Sequence, residues 1–169
     1  MRGCGMSGYH LAELNVGRLV APTDDPRVAE FMTNLDRING LGKRMPGFVW
    51  MMEGSGEPGT GNTENAIGDD PQHVANLTVW ETVEQLETFV WGTLHKQFYE
   101  RRAEWFEVLG KMHFVMWWVP EGHQPTLSEA LDRLEHLKAL GDSDQAFGWS
   151  HLKEASQWRA GRCAPLAAE

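Results

Sequence analysis

The sequence predicts an α+β fold of ferredoxin-like type: a four-stranded antiparallel sheet with helices on one face, plus an extra C-terminal helix. Three observations predict it. Four short segments carry strand signatures, amphipathic segments at helical period stand between them in the order β-α-β-β-α-β, and the helices are announced by their own capping residues. With 169 residues, the chain has the length of one domain. That domain is expected over residues 9–148, followed by a tail over 149–169.

From Tyr9 to Leu19 the pattern alternates, with Ala12, Leu14 and Val16 on one face and Glu13, Asn15 and Gly17 on the other, the signature of a half-buried strand. Asp25-Pro26 then supplies an N-cap and a proline for the first turn of a helix. Val28, Phe31, Met32, Leu35 and Ile38 recur at helical spacing to about Arg44. Pro46-Gly47 stops that helix, and the aromatic run Phe48 to Met52 reads as a second strand. Val74 to Trp80 is a third, with Val74, Asn76, Thr78 and Trp80 opposite Ala75, Leu77 and Val79. Thr82-Val83-Glu84-Gln85 is a capping box, so a helix follows at once, burying Val83, Leu86, Phe89 and Val90. Gly92-Thr93 interrupts it, and Thr93 caps a second piece expected to run to about Leu109 with Leu94, Phe98 and Trp105 inward. His113 to Val119 is the fourth strand. Thr126-Leu127-Ser128-Glu129 caps a third helix with Leu127, Leu131, Leu134, Leu137 and Leu140 on one stripe, and Ala146 to Trp149 is expected to return as a short edge strand.

The composition narrows the function. A formal charge of -9, from 24 acidic and 15 basic residues, disfavours binding to nucleic acid and to an anionic membrane surface, both of which need clustered Lys and Arg. No apolar run approaches the roughly 20 residues of a membrane span. The two cysteines, Cys4 and Cys163, stand far apart without metal-ligand spacing, so no metal site is expected. The first residues lack the apolar core of a secretory signal, which makes the cytoplasm the expected compartment. Residues 54–72 contain glycine and proline with almost no large apolar side chains, the composition of a surface loop or lid. Gly54, Gly56 and Gly59 fit the spacing of a nucleotide-binding loop, but Pro58 stands inside it and no helix signal follows. Helices on one face leave the other bare. Such a face carrying Trp50, Trp117 or Trp118 is a patch too apolar for a soluble monomer, so two sheets are expected to pair into a homodimeric barrel.

A resemblance rests on Tyr9-His10-Leu11-Ala12-Glu13-Leu14-Asn15, Pro46 to Trp50, Asn76 to Glu81, His95, Arg102, Trp105-Phe106, Trp117 to Pro120 and Pro125 to Leu127. Together these resemble a bacterial family of unassigned function in the dimeric α/β-barrel superfamily, the group that includes antibiotic-biosynthesis-type monooxygenases. The resemblance covers about residues 9–148 and implies a fold more than a reaction, because the superfamily holds cofactor-free oxygenases, polyketide cyclases, haem-degrading enzymes and non-catalytic members.

His95 is the leading candidate for chemistry. It falls in the first turn of the restarted helix, where exposed N–H groups and the helix dipole disfavour a cation. A neutral imidazole serves as a general base or an iron ligand, and the resemblance implies a functional His on this helix; a histidine that only hydrogen-bonds in the core is the plain alternative. Tyr99 and Arg102 follow at one and two turns, placed to orient an acidic or phenolic substrate or to belong to the solvated charge pattern around them. Trp50, Trp91, Trp105, Phe106 and Trp117 have two roles open to them, core or the wall of a pocket for a planar ligand. Asn15, Asn76 and Thr78 are polar groups in mid-strand that must find partners in the protein or in a ligand. The expectation is a homodimeric enzyme binding a hydrophobic, aromatic or polyketide-like molecule. It would work as a cofactor-independent monooxygenase or base-assisted cyclase, with a haem enzyme using His95 as axial ligand, or a non-catalytic binding dimer, as alternatives.

Overall fold

The structure, a computed structural model, describes residues 7–53, 70–107, 113–153 and 155. Most of the expected 54–72 loop and of the tail lies outside these residues. The sheet has the order β2-β3-β1-β4, with strands Tyr9–Arg18 (β1), Phe48–Met51 (β2), His73–Trp80 (β3) and Phe114–Pro120 (β4). Every pairing is antiparallel. This is the ferredoxin-like arrangement, with β1 and β3 in the centre.

A single-turn 3-10 segment, Pro26–Val28, opens under the Asp25 cap and leads into α1, Ala29–Gly42. Helix α2, Val83–Gly92, starts at Thr82, whose hydroxyl accepts from the Gln85 N–H. Thr93 then caps α3, Leu94–Glu100, by accepting from the His95 N–H. These helices cover the face bearing Leu11, Trp80 and Met116, where Ile38, Val83, Leu86 and Phe89 complete an apolar cluster.

Helix α3 ends earlier than the apolar spacing suggested. After Glu100 the chain tightens into a 3-10 turn over Arg102–Glu104, and Phe106 then pairs with Leu19 as an antiparallel bridge. The Val20 N–H donates to the Trp105 carbonyl and the Glu107 N–H to the Arg18 carbonyl. Those long-range backbone bonds extend β1, and they compete successfully with one more helical turn.

The second sheet face is not bare, which corrects the premise of the sequence reading. Helix α4, Leu127–Leu140, lies on it and buries Ala130, Leu134 and Leu137 against Ala12, Leu14, Leu77, Val115, Trp117 and Val119. Leu140, read as part of that stripe, is 71% exposed. Gly141 ends α4 at φ 76, a left-handed conformation that costs a glycine little. The chain then returns along β4: Met116 and Phe147 exchange two backbone hydrogen bonds of 2.8 and 2.9 Å. The short edge expected at Ala146 to Trp149 thus shrinks to one bridge, enough to cover the outer edge of β4. Trp117 is 1% exposed beneath α4, Trp118 belongs to the opposite cluster with Phe147, and Trp50 packs half-buried at the β2 end of the α4 face. No helix among the described residues is long and apolar enough to cross a membrane.

Candidate functional site

The register places Glu13 opposite Thr78 on β3 and Met116 on β4, and Asn15 opposite Asn76 and Phe114. All of them share the face covered by α1, α2 and α3. Glu13 is buried, 7% exposed, in the middle of a central strand. The Thr78 hydroxyl donates to Glu13 Oε1 at 2.7 Å and accepts from Trp80 Nε1–H at 2.8 Å, so the indole, hydroxyl and carboxyl form one relay. Burial pushes the Glu13 carboxyl up to about 7, against a smaller lowering by the Thr78 hydrogen bond. Nearby, the Asn76 carboxamide reaches Asn39 Oδ1 of α1 at 3.5 Å, and Asn39 is itself buried.

Asn15 is exposed, although β1 is paired on both sides and Leu14, its neighbour on the α4 face, is fully buried. Its exposure therefore comes from the helix side, where the layer leaves an opening at Asn15. Further along the same face Phe106 packs so closely on Gly17 that a Cβ there would stand 2.6 Å from its ring, with Phe31 edge-on at 4.9 Å. Phe114, the partner of Asn15 on β4, stacks on Trp149 at 5.7 Å, with Trp91 beyond at 6.3 Å. Trp91 Nε1 is buried and finds no acceptor among the described residues. Glu13 follows Asn15 on the same face at the two-residue spacing of a strand, about 7 Å deeper.

His95 lies in the first turn of α3, in the helix layer over this sheet face. Its ring packs on Phe89 at 4.9 Å, and Phe89 in turn stacks on Trp80 at 5.3 Å. Because a carbonyl only accepts, the 3.3 Å contact of Nδ1 with the Val90 oxygen makes Nδ1 the protonated nitrogen and leaves Nε2 with a lone pair. Burial pushes the imidazole down to about 4, the hydrogen bond to Val90 opposing it, so the neutral form expected from the helix start is reached chiefly through desolvation.

The structure divides the sequence-derived candidates into groups. Asn15 and Asn76 stand opposite one another on β1 and β3, Thr78 bonds Glu13 one step deeper on the same face, and Phe106 packs on Gly17 one step the other way. Tyr99 packs edge-on against Trp91 at 5.0 Å, and Arg102 lies over the Tyr99 ring at 4.2 Å while donating to its carbonyl oxygen. Tyr99 and Arg102 therefore bind each other, and His95 turns to Phe89. Trp105 is core, 3% exposed and stacked on Phe98. Trp50 and Trp117 are on the α4 face, across the sheet from Asn15, and so cannot line the same pocket; Trp117 Nε1 donates to Glu129 at 3.1 Å. Glu13 is the residue that strand alternation alone missed. Its signal was its face: it alternates with Leu11 and stands between neighbours that include Met116.

A surface cleft of about 440 Å³ lies elsewhere, along α4, lined by Thr126, Glu129, Asp132, Arg133 and His136 among others. It is open and polar, and neither Glu13 nor His95 borders it. Among the described residues no group of three or more His, Cys, Asp or Glu is placed to hold a metal ion.

Fold and site define an α+β protein of ferredoxin-like type with a buried carboxyl relay on the helix-covered sheet face, beside an exposed asparagine. The chain belongs to the family described as Domain of unknown function (DUF3291), whose model matches residues 10–163. No curated protein matches the sequence. Solved structures similar to it include a protein of unknown function from Nitrosomonas europaea, at 9% identity and a TM-score of 0.44, covering 70% of this chain and 95% of that one. Another, provisionally named an antibiotic biosynthesis monooxygenase and from the same organism, is 13% identical with a TM-score of 0.42, covering 75% of this chain and 100% of that one.

Proposed function

We propose that the chain is a cytoplasmic small-molecule enzyme that binds a hydrophobic, aromatic or polyketide-like substrate in the Asn15 crevice and acts on it by proton removal. In this reading it is a cofactor-independent monooxygenase or a base-assisted cyclase. The observation that carries the reading is the exposure of Asn15 in mid-strand on the helix-covered face: an opening edged by carboxamides, with Phe106 and Phe114 along the same face, suits a planar ring bearing polar substituents. His95 is the base. It is neutral near pH 7, with the Nε2 lone pair as its basic position. A conjugate acid near 4 makes it a weak base, suited to an acidified position such as a carbon between two carbonyls. Phe89 stands between His95 and Trp80, so the imidazole reaches the substrate only if that ring swings aside or the molecule passes beside it.

The same Nε2 lone pair favours a second reading, haem with His95 as axial ligand. A neutral imidazole held at Nδ1 by a backbone carbonyl is the form in which histidine binds iron, and bound haem would supply redox chemistry. An absorbance spectrum of freshly purified protein separates the two: a Soret band that His95→Gln abolishes supports haem, and a colourless protein supports the cofactor-independent reading. Mass spectrometry of any co-purified ligand names the substrate class. With a substrate in hand, His95→Gln should lower turnover on the order of 100-fold with the fold retained; full activity would remove His95 from the mechanism.

A further inference from the structure

Glu13 has no role in the reading above, yet its placement is costly without one. A carboxyl at 7% exposure in the central strand has one hydrogen bond among the described residues, from Thr78 to Oε1. Among the described residues neither a cation nor a backbone N–H supports it. A purely structural residue there would gain from being apolar, because a buried carboxylate with one neutral partner is poorly compensated. Oε2 has no hydrogen bond among the described residues, and Glu13 shares its sheet face with Asn15, which is exposed. Thr78 gives its only hydrogen to Oε1 while Trp80 occupies one of its two acceptor positions, so Oε1 is held by the relay and Oε2 is left for a ligand. The cross-strand neighbours of Glu13 are Thr78 of β3 and Met116 of β4, with Asn76, and Asn39 of α1 bonded to it, one step along, and the helices covering this face carry two further titratable groups, the buried Glu87 of α2 and His95 of α3.

We propose that Glu13 is the proton donor of this crevice: its Oε2–H protonates a carbonyl oxygen of a bound aromatic ketone or 1,3-dicarbonyl while a base takes a proton from the adjacent carbon. The C–H bond breaks toward the base, its electron pair forms the new C=C bond, and the carbonyl π pair moves to oxygen and takes the Glu13 proton. The products are an enol, a Glu13 carboxylate held by the Thr78 hydroxyl, and a protonated base; proton exchange with solvent restores both groups. Burial, which keeps the carboxyl protonated to about pH 7, supplies the donor at physiological pH. The inference rests on the crevice being the substrate site.

The probe is 2-acetylnaphthalene, a planar aromatic ketone, with binding followed by quenching of tryptophan fluorescence. Its Kd should rise about tenfold from pH 6 to pH 8.5 in the wild type, the value of a hydrogen bond of roughly 1.4 kcal/mol. In Glu13→Gln, whose amide still donates, Kd should stay at the pH 6 value throughout. Asn15→Trp should abolish binding by filling the opening. Binding that Asn15→Trp blocks but that is flat with pH in the wild type, or equally pH-dependent in Glu13→Gln, overturns the role of Glu13 and leaves the crevice standing. Binding unaffected by Asn15→Trp, or no binding, overturns the crevice reading and the donor with it. Should Glu13→Gln fail to fold, infrared titration of the wild type decides. A protonated-carboxyl band that disappears near pH 7, and at higher pH in Thr78→Val, supports the donor, and absence of that band overturns it.

Discussion

Glu13 and His95 make opposite contributions to the pH dependence of stability, and their cancellation is a sharp consequence of the site. Glu13 ionises near 4.5 when the chain is unfolded and near 7 when folded. Between those values the folded state holds one proton more, so stability falls as pH rises through that window. His95 is protonated below 6.5 in the unfolded chain and only below about 4 in the folded protein. Between those values the unfolded state holds the extra proton, so stability rises with pH. Each shift of about 2.5 units corresponds to about 3 kcal/mol at about 1.36 kcal/mol per unit, and from about pH 4.5 to 6.5 the two slopes oppose one another. Urea denaturation at half-unit steps from pH 4 to 8 exposes each term when the other is removed. The stability difference between Glu13→Gln and wild type should grow in favour of the variant by about 3 kcal/mol from pH 4.5 to pH 7 and then level off. The difference for His95→Gln should change by a similar amount, favouring the variant increasingly as pH falls from 6.5 to 4. A difference that does not vary with pH would refute the burial argument for the residue concerned.

Gly17→Ala places a Cβ 2.6 Å from the Phe106 ring, so the ring must move; a loss of about 1–3 kcal/mol in thermal or chemical denaturation is expected, and wild-type stability would show that Phe106 does not pack on Gly17. Leu134→Ala, at a site 2% exposed under α4, should cost about 2–5 kcal/mol and increase binding of a hydrophobic dye as Trp117 loses its cover; a cost below 1 kcal/mol would mean that α4 does not seal the sheet. Because α4 covers the face expected to be bare, we propose that the homodimer forms at the β2 end, where Trp50 is half-buried and Val49 is 37% exposed. Sedimentation at micromolar concentration should give twice the single-chain mass, and Trp50→Asp should halve it; a wild-type monomer would end that proposal.

The features legible in the sequence are the local ones. Thr82, Thr93 and Thr126 each act as the hydroxyl cap that their spacing announced, and the alternation of β1 and β3 assigns side chains to the correct faces, because caps and period-two patterns are decided within a few residues. What escaped depends on distant partners. The leucine stripe of α4 states that a helix buries one face and not which surface receives it, so the second sheet face read as bare. The premature end of α3 follows from pairing between Leu19 and Phe106, invisible in the spacing of Phe98 and Trp105. Alternation puts Glu13 on the polar face of β1, and it is buried there because α1 and α2 cover that face, a non-local event that pushes its carboxyl up to about 7. His95 was legible as a neutral histidine, but the Phe89 ring between it and Trp80 was not.

The most direct test of the crevice as the working site is a nuclear magnetic resonance titration with 2-acetylnaphthalene. Trp80 Nε1–H is bonded into the Thr78–Glu13 relay, and Asn15 and Asn76 carry side-chain amides on the same sheet face. The Trp80 indole proton and these amide protons should shift together on a single saturation curve. Shifts confined to residues of the α4 cleft, such as Glu129 and His136, with the Trp80 indole unmoved at saturation, would contradict that role for the crevice.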